Sequence, residues 1–133
     1  MVGWQAMTGP IAVGVGCRRG CRAEAIEGLV RRALDQAPAA RRLGLFTIRD
    51  KAGEPGLIEA AACLGLDLVF LPVDALRDQS AAVQTPSAHA ERRFGVASVA
   101  EAAALAGAGA GSVLLVPRIA GQGATCAIAG ARP

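Results

Sequence analysis

The segment VGVGCRRGCRAEAIE, residues 13–27, concentrates residue types that bind anions. An arginine guanidinium is a planar fork of donors that matches a carboxylate or a phosphate, and glycine lets backbone N–H groups come close to a ligand. The candidate ligand-binding residues of this segment are Gly14, Gly16, Cys17, Arg18, Arg19, Gly20 and Arg22. Three arginines in one turn repel one another unless a ligand neutralises them, so the spacing favours an anion site.

The elements on either side strengthen this interpretation. PIAVGVG, residues 10–16, predicts a buried strand, and apolar residues at helical spacing predict an amphipathic helix over residues 23–36. The turn would therefore lie at the carboxyl end of a strand and at a helix N-terminus, where unpaired N–H groups and the helix dipole attract anions. The alternative is structural: the glycines serve strand packing and a turn, and the arginines are solvated.

Two other ligand classes fit the turn poorly. GVGCRRG departs by one residue from the dinucleotide-binding spacing, and Asp50 lies further along the chain than the acidic residue of that motif. Cys17 and Cys21 are four residues apart, but no second ligand pair follows and His89 is distant. We therefore expect neither a nucleotide cofactor nor a metal site.

The rest of the chain predicts the elements that position this turn. Strands are indicated over residues 43–48 and 66–71, with a helix over residues 54–65 between them. The alternation of strands and helices is typical of a parallel sheet with crossover helices. Two apolar runs near residues 112–117 and 124–129 predict a C-terminal β-hairpin. The predicted fold is a single three-layer α/β domain over residues 1–133, with a mixed, mostly parallel sheet flanked by helices.

Two further features complete this outline. Residues 77–97 are polar and are interrupted by Pro86 and Gly95, which predicts a long loop that is either disordered or functional, for example as a lid. Residues 1–9 are expected to be flexible. Ser98 and Glu101 have the spacing of a reciprocal capping box at the start of the next helix.

Composition excludes several function classes. The chain has 133 residues, of which 53% are hydrophobic and only 3% aromatic, so it lacks the stacking platforms of single-stranded nucleic-acid binders. The net charge of +3 is modest, and no run approaches the roughly 18 apolar residues that span a membrane. Without a recognisable secretory signal we expect a cytoplasmic protein with reduced cysteines, and no nucleic-acid or membrane partner.

Six stretches, in order along nearly the whole chain, resemble one known family. They are GVGCRRG (14–20), DKAGEPGLIEAA (50–61), TPS (85–87), GVASVAEAAALA (95–106), LLVPR (114–118) and GATCAIA (123–129). They are similar to the CobE and CbiG C-terminal domain family of cobalamin (vitamin B12) biosynthesis. No extra region precedes the motifs in this sequence, so the expected match is to the stand-alone CobE form.

The resemblance implies work on a precorrin or corrin intermediate, a tetrapyrrole macrocycle fringed with acetate and propionate carboxylates. It also carries over Lys51 and Glu54 as a second motif and Ser98 with Glu101 as a third, and it implies that Ser98 and Glu101 are further candidate ligand-binding residues. CbiG-type members hydrolyse a lactone-bearing intermediate, cobalt-precorrin-5A, and release acetaldehyde, so a hydrolase is the alternative to a binding protein. A third alternative is a module that passes intermediates between other cobalamin-biosynthesis enzymes. Cys21 and Arg118 depart from the residue types that we expect in the family.

The candidate chemical groups favour binding over catalysis. Lys51 and Glu54 are the candidate catalytic pair, as a general base or a ligand clamp, although a helix cap and a surface ion pair explain them equally well. Ser87 has no triad partners, and a single loop histidine such as His89 is more often solvated than catalytic. Cys17 precedes a helix, a position that can lower a thiol pKa, but the sequence shows no partner that would make it a nucleophile.

Overall fold

The computed structural model describes residues 9–132; most of the N-terminal segment expected to be flexible lies outside this range. Five strands form one sheet in the order β3-β2-β1-β5-β4. The strands are β1 (Ile11–Cys17), β2 (Arg42–Ile48), β3 (Leu68–Leu71), β4 (Val113–Gly121) and β5 (Ala124–Gly130). The helices are α1 (Ala23–Gln36), α2 (Pro55–Leu64), α3 (Val73–Arg77), α4 (Ala88–Phe94) and α5 (Val99–Ala108).

The predicted mixed sheet and hairpin are confirmed. β1 pairs in parallel with β2, and β2 with β3, whereas β5 is antiparallel to both β1 and β4. Of the strands described, β5 alone therefore runs against the others. The chain moves outward from β1 to β3 and then returns past β1 to build the hairpin on the other side, so the β1 carboxyl end lies where the connections diverge.

Alternating residues of β1 face the two helical layers. Val13 and Val15 belong to the core that α1 and α2 cover, while Ala12 packs with residues of α5 on the opposite face. Gly14 also faces α5, where a methyl group at its position would lie 2.9 Å from the Ala104 Cβ. The alanine-rich α5 thus lies close against β1, and Gly14 is needed for this packing.

A two-residue turn joins β4 to β5. Gln122 (φ 53°) and Gly123 (φ 86°) both have positive φ, as a type I′ turn requires. β4 extends beyond its predicted end at residue 117, because it is an edge strand and tolerates Pro117 without a ladder hydrogen bond. The four residues of β4 from Val116 to Ile119 lie opposite three residues of β5, Ile128 to Cys126, so β4 bulges around Pro117 and Arg118.

The prediction that residues 77–97 form a long loop is wrong for part of this stretch. This stretch contains a short 3₁₀ turn, Ser80–Ala82, and the helix α4. The Ser87 hydroxyl caps α4 by accepting from the Ala90 N–H, and Gly95 ends it at φ 67°. Ser87 N also donates to Ala97 O at 2.7 Å, which closes the base of residues 87–97, hereafter the arm. Pro86 and Gly95, which interrupt the predicted loop, therefore flank a helix.

No helix within residues 9–132 has both the length and the apolar character needed to cross a membrane.

Candidate functional site

A cleft of about 850 Å³ opens at the carboxyl ends of β1 and β2. The β1–α1 turn forms one wall, the β4–β5 hairpin turn a second, and the arm a third; the start of α5 lies between them. This volume is within the range of roughly 300–1,000 Å³ that is usual for small-molecule sites.

The cleft is strongly basic. Six of its lining residues are basic, four arginines, one lysine and one histidine: Arg18, Arg19, Arg93, Arg118, Lys51 and His89. No aspartate or glutamate is among the lining residues in the described part of the chain. A cleft with cations on separate walls and no internal carboxylate attracts a ligand with several negative groups.

Between the cations the surface is largely apolar. Phe94, Val99 and Ala120 contribute side chains to the lining, and Gly16, Gly121 and Gly123 expose backbone. The Arg93 guanidinium carbon lies 5.4 Å from the Phe94 ring centroid, within cation–π range. The cleft therefore offers apolar contact surface as well as charge.

The turn after β1 is held in place by backbone hydrogen bonds. Arg18 N donates to Gly123 O at 2.9 Å, which joins the turn to the hairpin, and Cys21 N donates to Arg18 O at 3.1 Å. Gly20 adopts φ 75°, a left-handed conformation that favours glycine. Its N–H donates to Glu54 Oε1 at 2.8 Å. The exposed side chains of Arg18 and Arg19 thus extend from a fixed backbone into the cleft.

Lys51 and Glu54, the candidate catalytic pair, have separate positions. Lys51 lies just after β2 and lines the cleft, and none of the carboxylates in the described chain is within ion-pair distance of it. Glu54 occupies the residue before α2, but its side chain makes no cap and is absent from the cleft lining. Glu54 instead fixes the arginine turn through Gly20, so the structure does not bring the pair together as acid and base.

Three more of the predicted ligand-binding residues do not line the cleft. Arg22 turns away, with its side chain 82% exposed and 3.4 Å from the Glu24 carboxylate. Gly14 is covered by α5, and Gly20 serves the backbone of the turn rather than the cleft surface. For Gly14 and Gly20 the structure therefore favours the alternative given above, that these glycines serve strand packing and a turn.

Cys17 lines the cleft, but its thiol is not activated. Burial raises its pKa to about 11, although the nearby Lys51 charge acts in the opposite direction. This shift is opposite to the lowering that its position before a helix suggested, and it disfavours a thiolate at neutral pH. Within residues 9–132 there is also no group of three His, Cys, Asp or Glu side chains that could hold a metal ion.

Ser98 and Glu101 differ in what they contribute. Ser98 lies at the base of the cleft and caps α5, its hydroxyl accepting from Glu101 N at 3.3 Å, as the sequence predicts. The Glu101 side chain does not reach back to Ser98. It is fully buried and accepts hydrogen bonds from Gln84, Thr85 and Arg118, so it cannot contact a ligand in the cleft.

Sequence reasoning missed the residues of the arm and the hairpin as cleft residues. His89 and Arg93 line the cleft from α4 together with Phe94, and Arg118 lines it from β4. The signal was present, because His89 and Arg93 have the i, i+4 spacing that places two side chains on one helix face. It is informative only once residues 88–94 are recognised as a helix.

Comparison with known proteins gives the family. Residues 11–129 match the family model described as "Cobalamin synthesis G C-terminus". The chain is 34% identical over 123 residues to "Protein CobE" of Sinorhizobium sp, an alignment covering 90% of this chain and 79% of that protein. It is 32% identical over 114 residues to the "Cobalt-precorrin-5A hydrolase" of Priestia megaterium, covering 84% of this chain but only 30% of the hydrolase.

Solved structures agree with this assignment. The crystal structure of CobE, a protein from the cobalamin biosynthetic pathway, superposes with a TM-score of 0.80 at 39% identity, covering 90% of this chain and 88% of that one. The cobalamin biosynthesis protein chiG from Agrobacterium tumefaciens str. C58 superposes with a TM-score of 0.71 at 34% identity, covering 92% and 99%. The chain belongs to the CobE and CbiG C-terminal domain family and is a cobalamin biosynthesis protein.

Proposed function

We propose that the basic cleft binds a precorrin or corrin intermediate through the carboxylates on the rim of the macrocycle. The observation that carries this proposal is the lining: four arginines, a lysine and a histidine, with no carboxylate among the described lining residues. A tetrapyrrole of this pathway carries acetate and propionate groups around a flat apolar ring. Cations on separate walls around an apolar surface complement that distribution of charge.

The distribution of the cations favours a broad ligand over a small anion. Arg18 and Arg19 belong to the β1–α1 turn, whereas Arg93 is on the arm and Arg118 on β4. A macrocycle with carboxylates on several sides could contact cations on more than one wall of the cleft at once. Guanidinium groups bind carboxylates in two-point geometry, so each contact also orients the ring.

The arm would act as the lid of this site. It is joined at its base by the bond from Ser87 N to Ala97 O, and Arg77 Nη2 donates to Phe94 O at 2.9 Å. His89, Arg93 and Phe94 all lie on this closed segment and line the cleft. A small movement of the arm would bring these side chains onto the ring. The cytoplasmic location expected from the sequence is part of the same proposal.

Hydrolysis is the second candidate, favoured by the similarity to a protein named cobalt-precorrin-5A hydrolase. The chain spans about 30% of that protein's length, and its own groups are not arranged for catalysis. The raised pKa of Cys17 disfavours a nucleophile, and the carboxylates of Glu54 and Glu101 are bound to backbone N–H groups. His89 and Lys51 are the groups in the cleft that remain for proton transfer.

The test is a visible absorbance titration of the purified protein with cobyrinic acid, a corrin with free carboxylates, and with precorrin intermediates. Cobinamide, in which those carboxylates are amides, is the control ligand. Selective binding of cobyrinic acid supports the proposal, and equal or absent binding of both ligands contradicts it. Mass analysis after incubation with a lactone-bearing precorrin separates the candidates, because loss of acetaldehyde requires turnover. Co-purification with another pathway enzyme without ligand would favour a role in passing intermediates between enzymes.

A further inference from the structure

Glu101 is a buried carboxylate in an apolar environment. It is 0% exposed, and alanines flank it on α5. Within the described chain no Lys or Arg side chain is within ion-pair distance of it. A buried, unpaired carboxylate is strongly unfavourable unless hydrogen bonds replace its lost hydration. A residue of this kind at the first turn of α5 needs a structural explanation.

Four hydrogen bonds provide that compensation. Glu101 Oε1 accepts from Gln84 N at 2.7 Å and from Thr85 N at 2.9 Å. Glu101 Oε2 accepts from the Thr85 hydroxyl at 2.7 Å and from Arg118 N at 2.8 Å. Burial acts to raise the pKa of Glu101, but these hydrogen bonds outweigh burial and hold the pKa below its ordinary value. The geometry therefore favours the ionised carboxylate.

The donors come from two separate segments that border the cleft. Gln84 and Thr85 immediately precede the arm, which begins at Ser87. Arg118 lies in the bulge of β4, and its N–H points to Glu101. A bulge re-aims the side chain of the strand residue that it contains. The bulge gives the Arg118 backbone its direction, and the hydrogen bond to Glu101 holds it there.

We infer that Glu101 is a positioning residue of the cleft: held in place by Gln84 and Thr85, it fixes the Arg118 backbone so that the Arg118 side chain faces the ligand. This inference rests on the proposed function for its effect on binding. It gives Glu101 a different role from the ligand contact expected from the sequence. The carboxylate acts through Arg118 from behind the cleft, and the Arg118 side chain contacts the ligand.

A double-mutant cycle tests this link. Arg118→Ala keeps the backbone N–H and therefore the bond to Glu101, while removing the guanidinium from the cleft. We expect Glu101→Gln to weaken binding of cobyrinic acid about tenfold in the wild-type background, the size of one lost contact to a charged group. In the Arg118→Ala background the same substitution should change affinity by less than about twofold, because the guanidinium that it displaces is already absent.

Thr85→Val is the matched control. It removes one hydrogen bond from the same carboxylate but leaves the bond from Arg118 N, so affinity for cobyrinic acid should stay within about twofold of wild type. A loss from Glu101→Gln that is equal in both backgrounds, or no loss in either, would overturn the inference. If circular dichroism shows that Glu101→Gln is unfolded, Glu101→Asp replaces it with the same expectation, because the shorter side chain cannot reach both segments.

Amide hydrogen exchange of the ligand-free protein gives a readout independent of binding. In Glu101→Gln the Arg118 and Thr85 amides should exchange faster, while the Arg18 amide, bonded to Gly123 O, should not change. If wild-type protein fails to bind cobyrinic acid, the proposed function fails, and exchange still decides the positioning role. Unchanged exchange at Arg118 would overturn it, and faster exchange there would support it.

Discussion

Removing the two cleft arginines of the β1–α1 turn should weaken ligand binding, whereas removing the third arginine of the same turn should not. Arg18 and Arg19 line the cleft, but Arg22 points to solvent beside Glu24. An exposed guanidinium–carboxylate contact contributes about 0.5–1 kcal/mol, so losing both amounts to roughly 1–2 kcal/mol. This corresponds to an affinity for cobyrinic acid about tenfold lower in the Arg18→Ala, Arg19→Ala double variant.

Arg22→Ala is the matched control, since it removes the same charge from the same turn. Its affinity for cobyrinic acid, measured by visible absorbance titration, should stay within about twofold of wild type. All three arginines are exposed, so urea unfolding should differ by no more than about 0.5 kcal/mol among the variants. Equal weakening by Arg22→Ala and by the double variant would refute the reasoning, because only net charge would then matter.

Three further outcomes can be measured directly. At pH 8 a thiol with the pKa of about 11 that burial gives Cys17 has a thiolate fraction about 100-fold smaller than a thiol with the ordinary value of 9.0. Cys17 should therefore react with iodoacetamide much more slowly than the exposed Cys63 in a mass-spectrometric time course. Because the pKa of Glu101 is lowered, its contribution to stability is present above about pH 4.5 and is lost as pH falls through the folded-state pKa. Glu101→Gln should therefore lower the free energy of unfolding by about 2 kcal/mol at pH 7. It should also make stability to urea less dependent on pH in the acid range. Gly14→Ala should destabilise the protein by more than about 2 kcal/mol because its methyl group meets α5, while Gly20→Ala, in open space at φ 75°, should cost only about 1 kcal/mol in the same urea assay.

The regular elements were predictable where periodicity and end signals agreed. The helix over residues 23–36 has the observed bounds, because its apolar stripe must face the sheet and Pro38 lies beyond its end. The helix in the arm was not predicted, because the sequence signals there admit two interpretations. Pro86 and Gly95 interrupt a loop, but they also stand just outside a helix, and a seven-residue helix has too little periodicity to decide between them.

The sequence predicted the location of the cleft better than it predicted which residues line it. The strand-to-helix turn indicated the edge of the sheet at which the cleft opens, and Arg18 and Arg19 line the cleft there. Side-chain direction within the turn depends on backbone dihedrals that no spacing rule supplies, so the sequence could not show that Arg22 lies outside the cleft. Arg118 could not be placed, because its direction depends on a bulge and on a carboxylate 17 positions away.

The acidic residues near the cleft bind backbone N–H groups, whereas the basic side chains line the cleft. Glu54 and Glu101 accept from the backbone N–H groups of Gly20 and Arg118, so they fix the segments that carry cations without neutralising a guanidinium. The positive charge of the cleft therefore remains available to a ligand. Unneutralised cations around one cleft repel one another and destabilise the empty protein. A polycarboxylate removes this repulsion when it binds, which favours a ligand with several carboxylates over one with a single negative group.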